Sequence, residues 1–257
     1  MNRIAGKWVL VTGASAGIGE ACAKRFASEG GHLILWARRL ERLERLAAEL
    51  EREHGVETRV AAIDVRDRER VRREAESLVE NGVVPDVIVN NAGLAVGQEP
   101  FQDSRPEDWD TMIDTNVTGA LNVTRPFLPH MIERDQGHVI MVGSTAGHLT
   151  YPGGHVYNAT KFALRALTEA INLDLVGTSL RVSAVDPGWV DTEFAGVRFR
   201  GDMELADKTY EGYEPLHADD VADAIHYVAN VPPHVNVLDL VMLPTDRRNA
   251  YVIGTAD

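Results

Sequence analysis

Short apolar runs alternate with amphipathic segments along most of the 257-residue chain. A short apolar run that stops at a glycine, such as WVLVTG near the N-terminus, predicts a buried strand, and apolar residues at helical spacing predict a helix. The predicted strands are 8–13, 32–37, 57–65, 85–93, 138–147, 180–188 and 237–245. The predicted helices are 19–30, 39–55, 66–81, 106–137, 155–177 and 219–231.

Strands that alternate with helices indicate parallel βαβ units with right-handed crossovers. We therefore predict an α/β fold, a Rossmann-type doubly wound sheet of about seven mostly parallel strands with helices on both faces. No linker, repeat or low-complexity block interrupts the pattern, so residues 1–257 are expected to form a single domain. The longest segment without clear periodicity, 187–215, follows the sixth strand at the edge where ligands bind in such sheets, and is predicted to be a substrate loop.

Composition narrows the class of protein. The net charge of −13 argues against a nucleic-acid binder, no apolar run reaches membrane-spanning length, and the N-terminus lacks a signal-peptide layout. The nine histidines show no metal-ligand spacing, and Cys22, the only cysteine, is expected to be a buried structural thiol. We therefore expect a cytoplasmic enzyme or binding protein with no metal, nucleic acid or membrane as its partner.

The turn after the first predicted strand is rich in glycine. VTGASAGIGE provides the small residues that a tight turn and a close approach to a phosphate at a helix N-terminus require. Its spacing is G-x-x-x-G-x-G rather than the common G-x-G-x-x-G, and a turn without a ligand is the alternative. As a dinucleotide-binding segment, the turn comprises Gly13, Ser15, Ala16, Gly17, Ile18 and Gly19.

The end of the second predicted strand bears on the choice of dinucleotide. An NAD site has an acidic residue about 20 residues after the glycine turn, whereas this chain has Ala37 followed by Arg38 and Arg39. Two guanidinium groups suit a phosphate, which favours NADP. The alternative is that the two arginines begin a solvated helix face.

HVYNATKFAL provides a candidate for proton transfer. On a helix, Tyr157 and Lys161 lie on the same face, because they are four positions apart. A phenol with a pKa near 10 is a poor base at neutral pH, and a nearby ammonium group favours the phenolate. Alone, such a pair is usually a surface feature, so the remaining motifs have to decide its role.

Taken in order, these motifs resemble the short-chain dehydrogenase/reductase family over essentially the whole chain. TGASAGIG resembles its cofactor turn, and NNAG after the fourth strand resembles its signature at that position. The resemblance implies a catalytic tetrad of Asn116, Ser144, Tyr157 and Lys161. It also implies cofactor contacts at Asp64, Val65, Asn91, Ala92, Gly93, Tyr157, Lys161, Pro187, Gly188, Val190 and Thr192.

The family implies a role for each member of the tetrad. Tyr157 takes the alcohol proton during oxidation and returns it during reduction. Ser144 donates a hydrogen bond to the substrate oxygen, where charge develops. Lys161 bonds the nicotinamide ribose, and Asn116 holds a water molecule that links Lys161 to solvent. The resemblance also implies a homotetramer.

ARRLERL, NNAGLAVG, GSTAG and VDTEFAGVRFRGD are similar to the branch of NADP-dependent 3-hydroxy acid dehydrogenases, which act on serine, allo-threonine and related acids. A substrate carboxylate would need a cation, and Arg198 is the first candidate, with a loop anchor as the alternative role. Trp189 and Phe194 either line an apolar wall or pack the loop down, and Gln98 is expected to face the same pocket. A solvated side chain is an alternative for Arg200.

Two other functions stay open. One is a broad-specificity carbonyl or 3-oxoacyl reductase, which activity on serine against an aryl ketone would separate from a 3-hydroxy acid dehydrogenase. The other is a sensor that holds NADP without turnover. An intact tetrad argues against the sensor, because such a protein does not need all four groups.

Overall fold

Seven parallel strands form the central sheet of the computed structural model, which describes residues 2–249, 251–252 and 254. The strands are β1 (Trp8–Thr12), β2 (His32–Ala37), β3 (Thr58–Ala62), β4 (Val87–Asn90), β5 (His138–Val142), β6 (Arg181–Pro187), β7 (Val190–Asp191), β8 (Leu216–His217) and β9 (Asp239–Met242). The sheet has the order β3-β2-β1-β4-β5-β6-β9, and β7 pairs with β8 as a separate ribbon. The predicted doubly wound α/β fold is confirmed.

The sheet is covered by helices because its strands are apolar on both faces. Val9 and Val11 of β1 face one core layer and Leu10 faces the other, as the period of two along a strand requires. The helices are α1 (Gly17–Ser28), α2 (Leu40–His54), α3 (Arg68–Glu80), α4 (Pro106–Ile113), α5 (Gly119–Glu133), α6 (His155–Asp174), α7 (Phe194–Arg198), α8 (Met203–Lys208) and α9 (Ala218–Asn230). Residues of α1, α2 and α9 pack in one layer, and residues of α3, α5 and α6 in the other.

The fourth predicted helix, 106–137, is interrupted in the structure. Residues Asp114–Thr118 form a turn of π-helix between α4 and α5. Such a turn inserts a residue into the helical repeat and is common at functional sites. Ile113, Val117 and Leu121 are each four positions apart across this turn, so the apolar spacing stays helical and the sequence predicts one continuous helix.

The segment 187–215 also has more structure than predicted. It contains β7, α7 and α8, and the side chain of Asp202 caps α8 by accepting from the backbone N–H of Leu205. The carbonyl of Arg198 accepts a 2.9 Å bond from Gly97 in the loop after β4. The segment is therefore joined to a second loop at the carboxyl edge of the sheet. None of the described helices is long and apolar enough to cross a membrane.

Candidate active site

A cleft follows the carboxyl ends of the strands where the strand order reverses between β1 and β4. This is the switch point at which open α/β sheets bind their ligands. Most of the predicted cofactor residues line it: Gly13, Ser15, Ala16, Gly17, Ile18, Arg38, Arg39, Asp64, Val65, Asn91, Ala92, Gly93, Tyr157, Lys161, Pro187, Gly188, Val190 and Thr192. Ser144 and Phe194, predicted to contact substrate, line it as well.

The glycine turn is held close to the end of β4. Gly13 has a φ of 67°, which favours glycine, and a Cβ on Gly19 would lie 2.4 Å from the carbonyl oxygen of Gly13. Gly19 therefore packs behind the turn instead of lining the cleft. Thr12, which the sequence analysis missed, fixes the other side: its Oγ1 accepts from the N–H groups of Asn91 and Ala92 at 3.0 Å.

The N-terminus of α1 is suited to an anion. Ala16 precedes this helix without a capping side chain, so the first backbone N–H groups lack a side-chain acceptor. They carry the partial positive charge of the helix dipole. A cofactor phosphate fits this position without further protein charge.

A carboxylate crosses the cleft to the arginines at the end of β2. Arg39 Nε donates to Ser15 Oγ at 3.1 Å, and its Nη1 lies 2.8 Å from an oxygen of Glu193. Arg42 binds the other oxygen of Glu193 at 2.7 Å. These bonds lower the pKa of Glu193. The pairing of Glu193 with Arg42 is not predictable from the sequence, because 151 residues separate them along the chain.

A charged pair also lies at the predicted cofactor contacts Asp64 and Val65. Arg66 binds Asp64 at 2.6 Å, and this hydrogen bond lowers the pKa of the carboxyl group. The side chain of Arg66 lies beside Asp64 and Val65 in the cleft, so it adds a flat cationic surface there. A single sequence contains no signal for this arginine beyond its closeness to Asp64.

Tyr157 and Lys161 lie on one face of α6, as predicted, and both are buried. Lys161 Nζ donates to the carbonyl of Val142 at 2.9 Å and lies 5.7 Å from the centre of the Tyr157 ring. Ser144 is buried at the end of β5, and its Oγ accepts from the N–H of Ala146 at 3.1 Å. Two neighbouring elements thus bring a phenol, a hydroxyl and an ammonium group to one wall of the cleft.

Burial controls the acidity of the pair. It raises the pKa of Tyr157, against the opposing effects of the Ser144 hydrogen bond and the Arg198 charge. It lowers the pKa of Lys161 to about 8, against the opposing charge of Asp186. Desolvation is the largest of the effects on the phenol, so the prediction that the Lys161 ammonium group favours the phenolate stays a prediction.

Asn116 lies in the π-helical turn but does not line the cleft. Its Oδ1 accepts from Leu94 N at 2.8 Å, and its Nδ2 donates to Leu94 O and to Thr160 Oγ1. Both amide protons are thus used within the protein. The side chain joins the loop after β4 to α6, which positions Gly93 beside Lys161.

Arg198 and Gln98 line a pocket that adjoins the cleft. Arg198 Nη1 donates to the Tyr151 hydroxyl at 3.2 Å, and its guanidinium carbon lies 5.4 Å from the Tyr151 ring and 5.9 Å from the Tyr157 ring. Its Nε and Nη2 are buried and have no hydrogen-bond partner within the described part of the chain. The Phe194 ring closes this side, 5.7 Å from Tyr157.

Two loop residues anchor the segment, which for Trp189 is one of the two roles that the sequence left open. Trp189 does not line the cleft, because its ring stacks at 3.5 Å on the guanidinium of Arg247. Arg200 is bound to Glu99 and Asp108 at 2.7 and 2.5 Å, so it anchors the loop instead of being free in solvent. Both residues hold the segment down, which leaves Arg198 as the cation of this segment that faces the tyrosines.

Comparisons with known proteins match this geometry. Residues 7–202 match the sequence profile of the family described as short chain dehydrogenase. The chain is 47% identical over 237 residues to an NADP-dependent 3-hydroxy acid dehydrogenase of Salmonella typhi, covering 92% of this chain and 94% of that protein. It is 44% identical to a serine 3-dehydrogenase of Rhizobium radiobacter, covering 93% and 94%. The structure described as the closed form of serine dehydrogenase with NADP+ has a TM-score of 0.90 and 43% identity, covering 97% and 100%.

Proposed function

Because the chain belongs to the short chain dehydrogenase family, as its motifs predicted, we propose that it is an NADP-dependent oxidoreductase acting on small 3-hydroxy acids. It transfers a hydride between the nicotinamide and the hydroxyl-bearing carbon, or the corresponding carbonyl carbon. The relatives named as 3-hydroxy acid and serine dehydrogenases support this substrate class, since each covers nine-tenths or more of the chain.

The observation that carries the substrate class is the guanidinium of Arg198. A buried polar group without a hydrogen-bond partner is costly, and here two nitrogens of one cation are in that state. A carboxylate can accept from both nitrogens at once, because the guanidinium forms a planar fork. Arg198 also lies beside the Tyr157 ring, so an acid held there would bring its hydroxyl-bearing carbon towards the phenol.

The residues of the cleft fit the pyrophosphate and the 2′-phosphate of NADP. The uncapped start of α1 suits the pyrophosphate, and Ser15, Arg38 and Arg39 suit the 2′-phosphate. When bound, the nicotinamide accepts or supplies the hydride. The protein contributes the orientation of the substrate, a dry cleft and the proton.

The proton moves between the Tyr157 hydroxyl and the substrate oxygen. During reduction the Tyr157 hydroxyl gives its proton to the substrate oxygen, and during oxidation it takes that proton back. Ser144 donates to the same oxygen and stabilises the charge that develops on it. Lys161 contributes the positive charge that favours the phenolate, against the burial of Tyr157.

A substrate panel followed at the nicotinamide absorbance band, with NADP and NAD in parallel, tests the proposal. We expect turnover of serine or a related 3-hydroxy acid with NADP, and much weaker turnover with NAD. An aryl ketone reduced efficiently while every acid fails would favour a broad-specificity carbonyl reductase. The aromatic rings of Tyr151 and Phe194 beside the phenol are the feature that supports this second candidate.

Replacing Arg38 and Arg39 with glutamine is expected to weaken NADP binding by about tenfold or more per residue. Each charge-assisted hydrogen bond is worth roughly 1.5–3 kcal/mol, and NAD lacks the phosphate that would lose it. Dissociation constants for both cofactors are the measurement. Arg42→Gln is a matched control, because Arg42 also binds Glu193 but does not line the cleft. Equal weakening of NADP and NAD would rule out recognition of the 2′-phosphate.

The remaining proposals concern assembly and location. We infer a homotetramer in the cytoplasm, and the exposed apolar side chains on the outer faces of α5 and α6 support the assembly. Leu121 is 39% exposed, Phe162 40% and Leu173 69%, so these helices present apolar side chains that a subunit interface would cover. Light scattering should give four times the subunit mass of 28.2 kDa, and a monomer would contradict the assembly.

A further inference from the structure

The half-buried imidazole of His148 and the buried carboxylate of Asp186 form a pair behind the catalytic wall. Asp186, near the end of β6, is 2% exposed, and its Oδ2 lies 2.5 Å from His148 Nε2. Asp239 of β9 lies 3.7 Å from the same imidazole nitrogen, and Arg165 of α6 lies 3.8 Å from Asp239. The proposed mechanism gives none of these four residues a part.

The carboxylate of Asp186 is pressed against the end of β5. A Cβ on Gly143 would overlap Asp186 Oδ1, so only glycine leaves room for the carboxylate there. The preceding residue, Val142, accepts the hydrogen bond of Lys161 Nζ through its carbonyl. The carboxylate and the ammonium group therefore lie against neighbouring residues at the end of β5, Gly143 and Val142.

Lys161 needs such a charge. It is 7% exposed, and its Nζ donates to a neutral carbonyl; no acid forms an ion pair with it among the described residues. A buried ammonium group without a counter-charge tends to lose its proton. Tyr157 and Lys161 of α6, His148 of the loop after β5, and Asp239 of β9 are the titratable groups that act on Asp186 or respond to it.

We propose that Asp186, held by His148, is a positioning residue of this reaction: it is the counter-charge that keeps Lys161 protonated in the closed wall of the cleft. The inference rests on the proposed NADP-dependent chemistry. Burial lowers the pKa of Lys161 and the charge of Asp186 raises it, while burial raises the pKa of Asp186 and the hydrogen bond of His148 opposes this rise. His148 thus maintains the ionised carboxylate that Lys161 requires.

The sign of the effect follows from these charges. Without the carboxylate, the pKa of Lys161 falls further, so the ammonium group is lost at a lower pH. The same carboxylate raises the pKa of Tyr157, so its removal also moves the titration of the phenol to lower pH. A loss of packing alone would lower turnover without moving either titration.

The test is Asp186→Asn, which keeps the size of the side chain and removes its charge. NADPH affinity is measured by fluorescence titration at each pH, and we expect its loss at alkaline pH to begin about one pH unit lower than in the wild type. The acid and alkaline limbs of the plot of kcat against pH should both shift to lower pH as well. Unchanged limbs would overturn the proposal. NADPH binding requires no substrate, so a wrong substrate class would leave this measurement intact and fail only in the panel.

Two further variants separate charge from packing. Asp239→Asn removes an acid from the rim of the cluster, where Arg165 already balances it, and the limbs should move less than in Asp186→Asn. Asp186→Glu keeps the charge but crowds Gly143, so kcat should fall while the limbs stay. If Asp186→Asn does not fold, shifted limbs in Asp186→Glu would overturn the role of the charge, and fixed limbs would support it.

Discussion

Tyr157→Phe is expected to lower kcat by about 10²-fold or more in both directions, because general acid–base catalysis contributes about 10²–10⁴-fold. The substitution keeps the ring that packs on Phe194 and removes the proton carrier. The dissociation constant for NADPH should change little. Single-turnover rates with saturating NADPH and substrate give the loss in the chemical step.

Tyr213→Phe is a matched control for this variant. Tyr213 is 9% exposed, as Tyr157 is, but its hydroxyl donates to the Thr209 carbonyl, accepts from Arg247 Nη1 at 3.0 Å and lies outside the cleft. Loss of a buried hydroxyl alone should therefore leave kcat nearly unchanged. Turnover by Tyr157→Phe within a few-fold of the wild-type value would end the proposed mechanism.

Arg198→Ala is expected to lower kcat/KM by about 10²-fold for a 3-hydroxy acid and only slightly for its methyl ester. Two charge-assisted bonds of roughly 1.5–3 kcal/mol each would be lost with the acid, and a neutral ester has little to lose. Steady-state kinetics on the matched pair of substrates measure the difference. Arg198→Lys should recover only part of the activity, because a point charge cannot replace the two-pronged contact.

Arg200→Met separates a clamp from an anchor. Arg200 lies two residues away and holds the loop through Glu99 and Asp108, so its loss should affect the acid and the ester alike. If Arg198→Ala behaves in that way too, Arg198 is an anchor, and a pocket for apolar ketones becomes the better reading. No effect on either substrate would remove Arg198 from the site.

The fold was predictable because both faces of the sheet are covered. Strands such as β2 are buried along their length, so they stand out as apolar runs, and α2 shows its buried stripe of Leu43, Leu46, Ala47 and Leu50 at helical spacing. The π-helical turn was not predictable, because apolar residues continue at helical spacing through it. The short elements α7 and α8 lie in an exposed loop that carries little periodicity.

The cofactor part of the site was predictable where consecutive residues form it, as in the glycine turn. Contacts between distant segments were not, and Glu193 on Arg39 is an example. Trp189 and Arg247 stack in the structure, but nothing in the sequence indicates that they contact each other. The pKa of Tyr157 could not be predicted from the sequence either, since the burial that raises it depends on the packing of α6, β5 and the loop after β6.

The ion pairs of Glu193 couple recognition of the cofactor phosphate to the position of the segment that carries Arg198. They fasten the segment that leads to Arg198 onto the first turn of α2, across the cleft. A phosphate that binds Arg39 competes with the carboxylate of Glu193. Phosphate binding therefore weakens the Glu193 ion pairs, and these ion pairs weaken phosphate binding by the same coupling free energy. Exposed pairs of this kind contribute about 0.2–1 kcal/mol each, so the linkage is a few-fold effect. A dinucleotide without the 2′-phosphate would leave the fastening in place.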